Sequence, residues 1–348
     1  MFYFTDATIG KIIVHHVGNK NQNEGLKFSK HLINIKEDFL KELLLQYFLN
    51  PFKTEALYEF TNLGEDELNV VCHSVSNIFE DTDCFAKESV KIAKHLYEKS
   101  EHPKIKGGEF YIVYFKSCVV GDEVTDAIGL FKSENKDTFL RVYQKQDDFE
   151  IESQEGINIH KLDKGCIIFN TDKESGYIAC MVDNLNKSGE AQFWKDDFLG
   201  IKQREDDFYH TKTMLNVCKD FCDEFLHDDQ EVTRQQQFLI KDRSMKYFAE
   251  NENYNEKEFE EEVMQEPEVI EAFQHYKQKY MNSENTAPAE DFGISDSAVK
   301  GARKFFKSVL KLDKNFHVYI HGNPDLVEKG FDDKKKMNYY RLFFNEEV

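Results

Sequence analysis

Cysteine and histidine come first, because thiolates and imidazoles at ligand spacing bind metals. Cys218 and Cys222 stand one helical turn apart and could present two sulfurs to zinc, but no second Cys/His pair with ligand spacing accompanies them. Both also belong to the series Met214, Val217, Cys218, Phe221, Cys222 and Phe225, which marks one face of an amphipathic helix, so their spacing favours core packing. His15 and His16 are neighbours in an apolar strand and point to opposite faces. His317 and His321 share a strand face but lie about 13 Å apart at ~3.3 Å per residue, too far to hold one ion. The reading is therefore no metal site and no cofactor.

Carboxylates come next. The doublets Asp147-Asp148, Asp196-Asp197, Asp206-Asp207 and Asp332-Asp333 are the residue type that holds magnesium in a nuclease. That chemistry needs them to converge on one phosphate, and doublets of this kind are mostly turn residues. The sequence has no G-x-S-x-G, no H-E-x-x-H and no Walker loop. The expectation is a protein without catalytic residues, with a metal-dependent nuclease kept as the third reading.

The positive signal is electrostatic. The chain of 348 residues carries a formal net charge of −20, which repels nucleic acid on average and confines any such site to a local patch. Between Lys300 and Arg341 the balance reverses, with eleven basic residues against five acidic ones. On a helix running on from Ser295 or Asp296, with Val299, Ala302, Phe305, Phe306 and Val309 inside, Lys300, Arg303, Lys304, Lys307 and Lys311 fall within about a 100° arc. Lys334, Lys335 and Lys336 sit at the tip of an expected hairpin. These eight are the candidate DNA-binding residues. Without Asn, Gln and Arg in helical register, phosphate contact rather than base reading is expected. The opposite extreme is Glu250 to Glu271, ten glutamates and one lysine, read as a solvated helix face that could dock a basic DNA enzyme.

These residues need elements to hold them. The length implies two or three units with their own cores. Lys11 to Val17 reads as a strand, Ile35 to Leu49 as a helix stopped by Pro51, Leu68 to Phe79 as a second helix, and Cys84 to Lys99 as a third capped by Asp83. From Phe110 the period changes to strands (Phe110 to Val120, Ala127 to Lys132, Thr138 to Gln144, Phe149 to Ile151). A hairpin follows, Gly165 to Asn170 and Tyr177 to Val182 around a turn containing Gly176. Short polar connections favour antiparallel pairing. The expected class is α+β: an antiparallel-sheet domain with helices over 1–200, a helical segment over 201–285, and a C-terminal helix with three strands over 290–348. The odd count of seven cysteines, without close pairs, reads as reduced thiols in the cytoplasm. No apolar run approaches the ~20 residues of a membrane helix, and the N-terminus reads as a strand rather than an export signal.

Several segments carry a family likeness. Ile12 to Lys20 (IIVHHVGNK), Leu162-Asp163-Lys164-Gly165 with its hairpin, Ala191 to Leu199 (AQFWKDDFL), Gly330 to Asp333 and Tyr339-Tyr340 resemble the bacterial nucleoid-associated protein family of NdpA, also called YejK. The resemblance implies a cytoplasmic protein of the nucleoid that binds double-stranded DNA directly and contacts type II topoisomerase subunits. It carries over neither catalytic residues nor a motif fixing DNA contacts, so the basic positions above come from charge alone.

Overall fold

The computed structural model describes residues 2–53, 55–61, 69–185, 193–225, 234–284, 289–306, 308–320 and 326–346. It is an α+β protein with antiparallel sheets. The chain divides into two compact units, Met1–Arg204 and Glu205–Val348.

The first unit is built on one sheet. Its strands are β1 Phe2–Tyr3, β2 Thr8–Val17, β3 Leu26–Lys27, β4 Tyr58–Phe60, β5 Gly108–Val120, β6 Glu123–Ser133, β9 Lys164–Phe169, β10 Ile178–Asp183 and β11 Ile201–Gln203. The order is β11-β4-β10-β9-β6-β5-β2-β3, with β1 also on β5. All pairings are antiparallel, as short turns require. Two strands, β7 Asp137–Lys145 and β8 Asp148–Gly156, leave this order and pair only with each other.

Both faces of the sheet are covered, which explains why its central strands read as continuous apolar runs rather than alternating ones. Phe110, Ile112, Ile128, Leu130, Cys166 and Ile168 face helices α2 (Val70–Glu80) and α3 (Phe85–Lys99). Val113, Phe115, Phe131, Ile167 and Phe169 face helix α1 (Asp38–Leu49). In α1 the expected apolar stripe is buried only in its C-terminal half: Tyr47, Phe48 and Leu49 are inside, while Phe39 and Leu40 are exposed. The cap before α3 is also displaced. Asp81, not Asp83, accepts the backbone N–H, from Asp83 itself at 2.9 Å, and so starts a short 3₁₀ turn, Thr82–Cys84, that leads into the helix. In the β9–β10 hairpin Gly176 takes φ 96°, a conformation that suits glycine, and closes the expected turn.

In the second unit, α4 (Asp207–Asp220) buries Met214, Val217 and Cys218, and a π-helical turn (Phe221–Phe225) continues it with Phe221 and Cys222 inside. Helix α5 (Arg234–Glu250) follows. The glutamate-rich run is not one solvated helix. It is divided into β12 (Asn253–Asn255), α6 (Glu256–Phe259), a π-helical turn (Glu260–Met264) and the start of α7 (Pro267–Glu284). The break has local causes: the Asn255 side chain caps α6 by accepting from the Glu258 N–H at 3.1 Å, and Pro267 opens a new helix. β12 pairs with β13 (Asp291–Gly293), a contact the sequence pattern does not announce.

The C-terminal helix is shorter than expected. α8 ends at Ala302 (Asp296–Ala302), a 3₁₀ turn covers Arg303–Phe305, and Ser308–Leu312 is a strand, β14. β14 pairs with β15 (Phe316–Ile320) across Asp313-Lys314-Asn315, where Asp313 takes φ 51°. A three-residue hairpin loop outweighs the helical spacing that ran through it. The final strands, β16 (Val327–Asp332) and β17 (Met337–Leu342), form a second hairpin, so the expected three-stranded group is two separate two-stranded sheets.

Candidate nucleic-acid interface

The eight basic positions do not lie on one helix face. Lys300 is in the last turn of α8, Arg303 and Lys304 are on the 3₁₀ turn, Lys311 stands on β14 opposite His317, and Lys307 lies outside the described residues. Phe305, expected inside, is 53% exposed, and the Lys304 ammonium sits over its ring at 4.7 Å. Lys300, Arg303 and Lys304 are all exposed.

Lys334, Lys335 and Lys336 are placed as expected, at the tip of the β16–β17 hairpin. Asp332 pairs with Met337, which leaves a four-residue loop between them. The Asp332 carboxylate turns inward and accepts from the backbone N–H of Lys334 at 2.9 Å and of Lys335 at 3.0 Å, an Asx turn that fixes the loop. Lys336 takes φ 54° and brings the chain back into β17. All three lysine side chains are exposed, and among the described residues none of them is held in an ion pair. Below the tip, Arg341 pairs with Glu328 at 3.5 Å and lies over the Tyr339 ring, and Phe331 and Met337 are more than half exposed. The arrangement is a pinned loop presenting three ammonium groups beside apolar and aromatic side chains, which suits phosphate contact.

The other candidates resolve into structural roles. Cys218 and Cys222 are buried, and burial pushes both thiols up, that of Cys222 to about 12. Among the described residues no three His, Cys, Asp or Glu side chains come together as a metal site. His15 is buried, bonded to Ser89 Oγ at 3.0 Å, and accepts from the Ser29 N–H at 3.2 Å; burial lowers its pKa to about 4. His321 lies outside the described residues. The Asp doublets serve turns and caps: Asp206 accepts from the Tyr209 N–H at the start of α4, Asp207 from the Gly293 N–H, and Asp332 holds the lysine loop. Asp196 and Asp197 are exposed on a π-helical turn, Phe193–Leu199.

One cluster is missed by motif reading. Lys132 and Lys164 are cross-strand partners at the end of the face covered by α2 and α3, with side chains 0% and 2% exposed. Glu134 lies 3.3 Å from the first and 3.0 Å from the second, and both ammonium groups lie over the Phe193 ring at 6.0 and 5.5 Å. Lys132 also donates to the Lys106 carbonyl at 2.8 Å, and burial lowers its pKa against the opposing pull of Glu134. The signal was present in the alternation itself: Ile128, Leu130, Lys132 and Lys164, Cys166, Ile168 continue one inward face.

Three of the segments that carried the family likeness help build this core, while Gly330 to Asp333 and Tyr339-Tyr340 belong to the β16–β17 hairpin. Asn19 is fully buried and donates to the His102 and Ile105 carbonyls at 2.9 and 2.7 Å. Asp163 accepts from the Glu134 and Asn135 N–H groups at 2.6 and 2.8 Å, and so sets the turn that carries Glu134 toward the lysines. Trp194 and Phe198 meet Phe110 of β5 edge-on at 6.4 and 6.0 Å. A family model described as nucleoid-associated protein YejK matches residues 13–336. The chain belongs to that family. No curated protein sequence matches it. The family match covers most of both compact units and ends at Lys336, before β17. Among the described residues no helix is long and apolar enough to cross a membrane.

Proposed function

We propose that this chain binds double-stranded DNA in the bacterial nucleoid without sequence specificity and without catalysing a reaction on it. The observation that carries the reading is the fixed, exposed loop of Lys334, Lys335 and Lys336 in a chain whose family is nucleoid-associated. Lysine ammonium groups contact phosphate oxygens as point charges and carry no base code, so affinity follows backbone charge and not sequence. Lys300, Arg303 and Lys304, exposed at the end of α8, are the second group of phosphate contacts. With the rest of the chain acidic, contact is confined to these local positions, and an excess of salt releases the DNA.

The rival reading, an acidic surface that docks a basic DNA enzyme such as a type II topoisomerase, keeps exposed glutamates such as Glu258, Glu261 and Glu262, but not as one continuous helix face. Glu260 is buried and accepts from Gln274 at 2.9 Å, and Glu256 is ion-paired with Lys277. The test is fluorescence anisotropy with two labelled duplexes of equal length and unrelated sequence, in magnesium. Equal affinities with both duplexes intact afterwards are expected. A large preference for one duplex, or cleavage of either, contradicts the proposal.

A further inference from the structure

A concave pocket of about 750 Å³ opens beside the lysine loop, lined by Phe331, Lys335, Met337, Asn338, Tyr339 and Arg341. Met337, Asn338 and Tyr339 alternate between the two faces of β17, so the pocket follows the outer edge of that strand. Among the described residues β17 pairs only with β16, and its outer edge presents backbone N–H and C=O groups to a ligand. Tyr339 stands opposite Gly330, and a Cβ at position 330 would run into its ring. The missing side chain is what lets the ring lie across the ribbon. The ring remains 41% exposed, with the Arg341 guanidinium 5.8 Å from its centre. Phe331 and Met337, both more exposed, border the same space, and the Asn338 amide adds donors and an acceptor. Asp332 also borders the pocket, but its carboxylate is turned onto the N–H groups of Lys334 and Lys335. An aromatic floor with cations at the rim is the chemistry that holds a nucleobase and its phosphate.

We propose that this pocket takes a base of DNA that has left the helical stack, so that the chain prefers duplex carrying unpaired bases to perfect duplex. The inference rests on the DNA reading above and names the DNA structure within it. At about 3.4 Å per residue, Met337 and Tyr339 lie roughly 3 and 10 Å along β17 from Lys336. A nucleotide whose phosphate rests on the lysine loop therefore reaches the Tyr339 ring with its base. Stacking one base on an aromatic side chain multiplies affinity by about 5- to 150-fold, whereas extruding a base from a perfect duplex costs a factor of the same order or more. An intact duplex is thus held through its phosphates alone, while a base already unpaired enters the pocket without that cost. Every base has an aromatic face, so the preference adds no sequence code.

The test is fluorescence anisotropy of the full chain with two labelled duplexes of one sequence, one perfect and one carrying a short bulge of unpaired adenines. The bulged duplex is expected to bind at least about 5-fold tighter. With 2-aminopurine in place of a bulged adenine, its emission falls when the wild type binds, which reports stacking directly. Tyr339→Leu with Phe331→Leu keeps an apolar cover over Gly330 and leaves the lysine loop untouched. This variant, its fold checked by far-ultraviolet circular dichroism, binds the perfect duplex as the wild type does, with the same salt slope, and loses the preference. Tyr339→Phe retains it. Equal wild-type affinity for the two duplexes, unchanged 2-aminopurine emission in the wild-type complex, or a preference that survives in the folded Leu variant overturns the inference and leaves phosphate contact standing. Failure to bind either duplex overturns both readings.

Discussion

Lys132 and Lys164 lie directly opposite each other on the β6–β9 ladder, both sealed from solvent, with the single carboxylate of Glu134 between their ammonium groups. The two buried ammonium groups are held in place by that carboxylate, by Asp183 at 3.9 Å from Lys164, by the Lys106 carbonyl and by the Phe193 ring. Glu134→Gln keeps the shape and removes the charge, which leaves Lys132 without its ion-pair partner and Lys164 with only the more distant Asp183, and a loss of roughly 3–5 kcal/mol is expected. The triple change Lys132→Met, Glu134→Leu and Lys164→Met removes the whole cluster and costs far less. Urea unfolding followed by Trp194, the chain's one tryptophan and buried in the same unit, measures both. Equal losses in the two proteins would contradict the account.

His15 makes the first unit sensitive to acid. Burial lowers the folded pKa to about 4 from the ordinary histidine value of 6.5. Above 6.5 the ring is neutral in both states and contributes no pH dependence. As pH falls below 6.5 the unfolded chain takes up a proton that the folded chain refuses, so stability declines. The part due to His15 between pH 7 and pH 5 is about 2 kcal/mol at 1.36 kcal/mol per pKa unit. Comparing His15→Gln with the wild type at both pH values isolates it. A wild type no more pH-dependent than the variant speaks against a buried neutral ring.

Cys218 and Cys222 behave as core residues. With burial holding both thiols protonated, native protein at pH 8 leaves them unlabelled by iodoacetamide, while Cys84, partly buried, reacts first. Mass mapping after a timed pulse gives the order. Fast labelling at Cys218, or one zinc per purified chain, would show ligands where core packing is described.

Where each element's residues agreed locally with the fold, the sequence was sufficient. The β9–β10 hairpin, helices α2 and α3 and the antiparallel order follow from alternation, caps and short turns. The C-terminal helix failed because two signals competed: Val299 to Val309 has helical spacing, yet the loop at Asp313 to Asn315 commits Ser308–Leu312 to a hairpin. The arc of Lys300, Arg303, Lys304, Lys307 and Lys311 failed with it. The lysine loop survived because Asp332 and its neighbours determine it locally. The Lys132–Glu134–Lys164 cluster needed strand register across β6 and β9, which adjacent residues cannot supply.

The central claim is phosphate contact by the lysine loop, and the salt dependence of DNA affinity tests it most directly. With Lys334, Lys335, Lys336, Lys300, Arg303 and Lys304 neutralising about six phosphates, the slope of log K against log salt lies near −5, at roughly −0.9 per contact. Changing Lys334, Lys335 and Lys336 to Gln removes three contacts and makes the slope about −2.7, with affinity lost alike for every sequence. The fold is unaffected, because the turn is held by Asp332 and backbone N–H groups rather than by the lysine side chains. Anisotropy titrations of both proteins at several salt concentrations give the two slopes. A steep wild-type slope that becomes shallower in the folded variant is the predicted result, and identical slopes and affinities for the two proteins would contradict it.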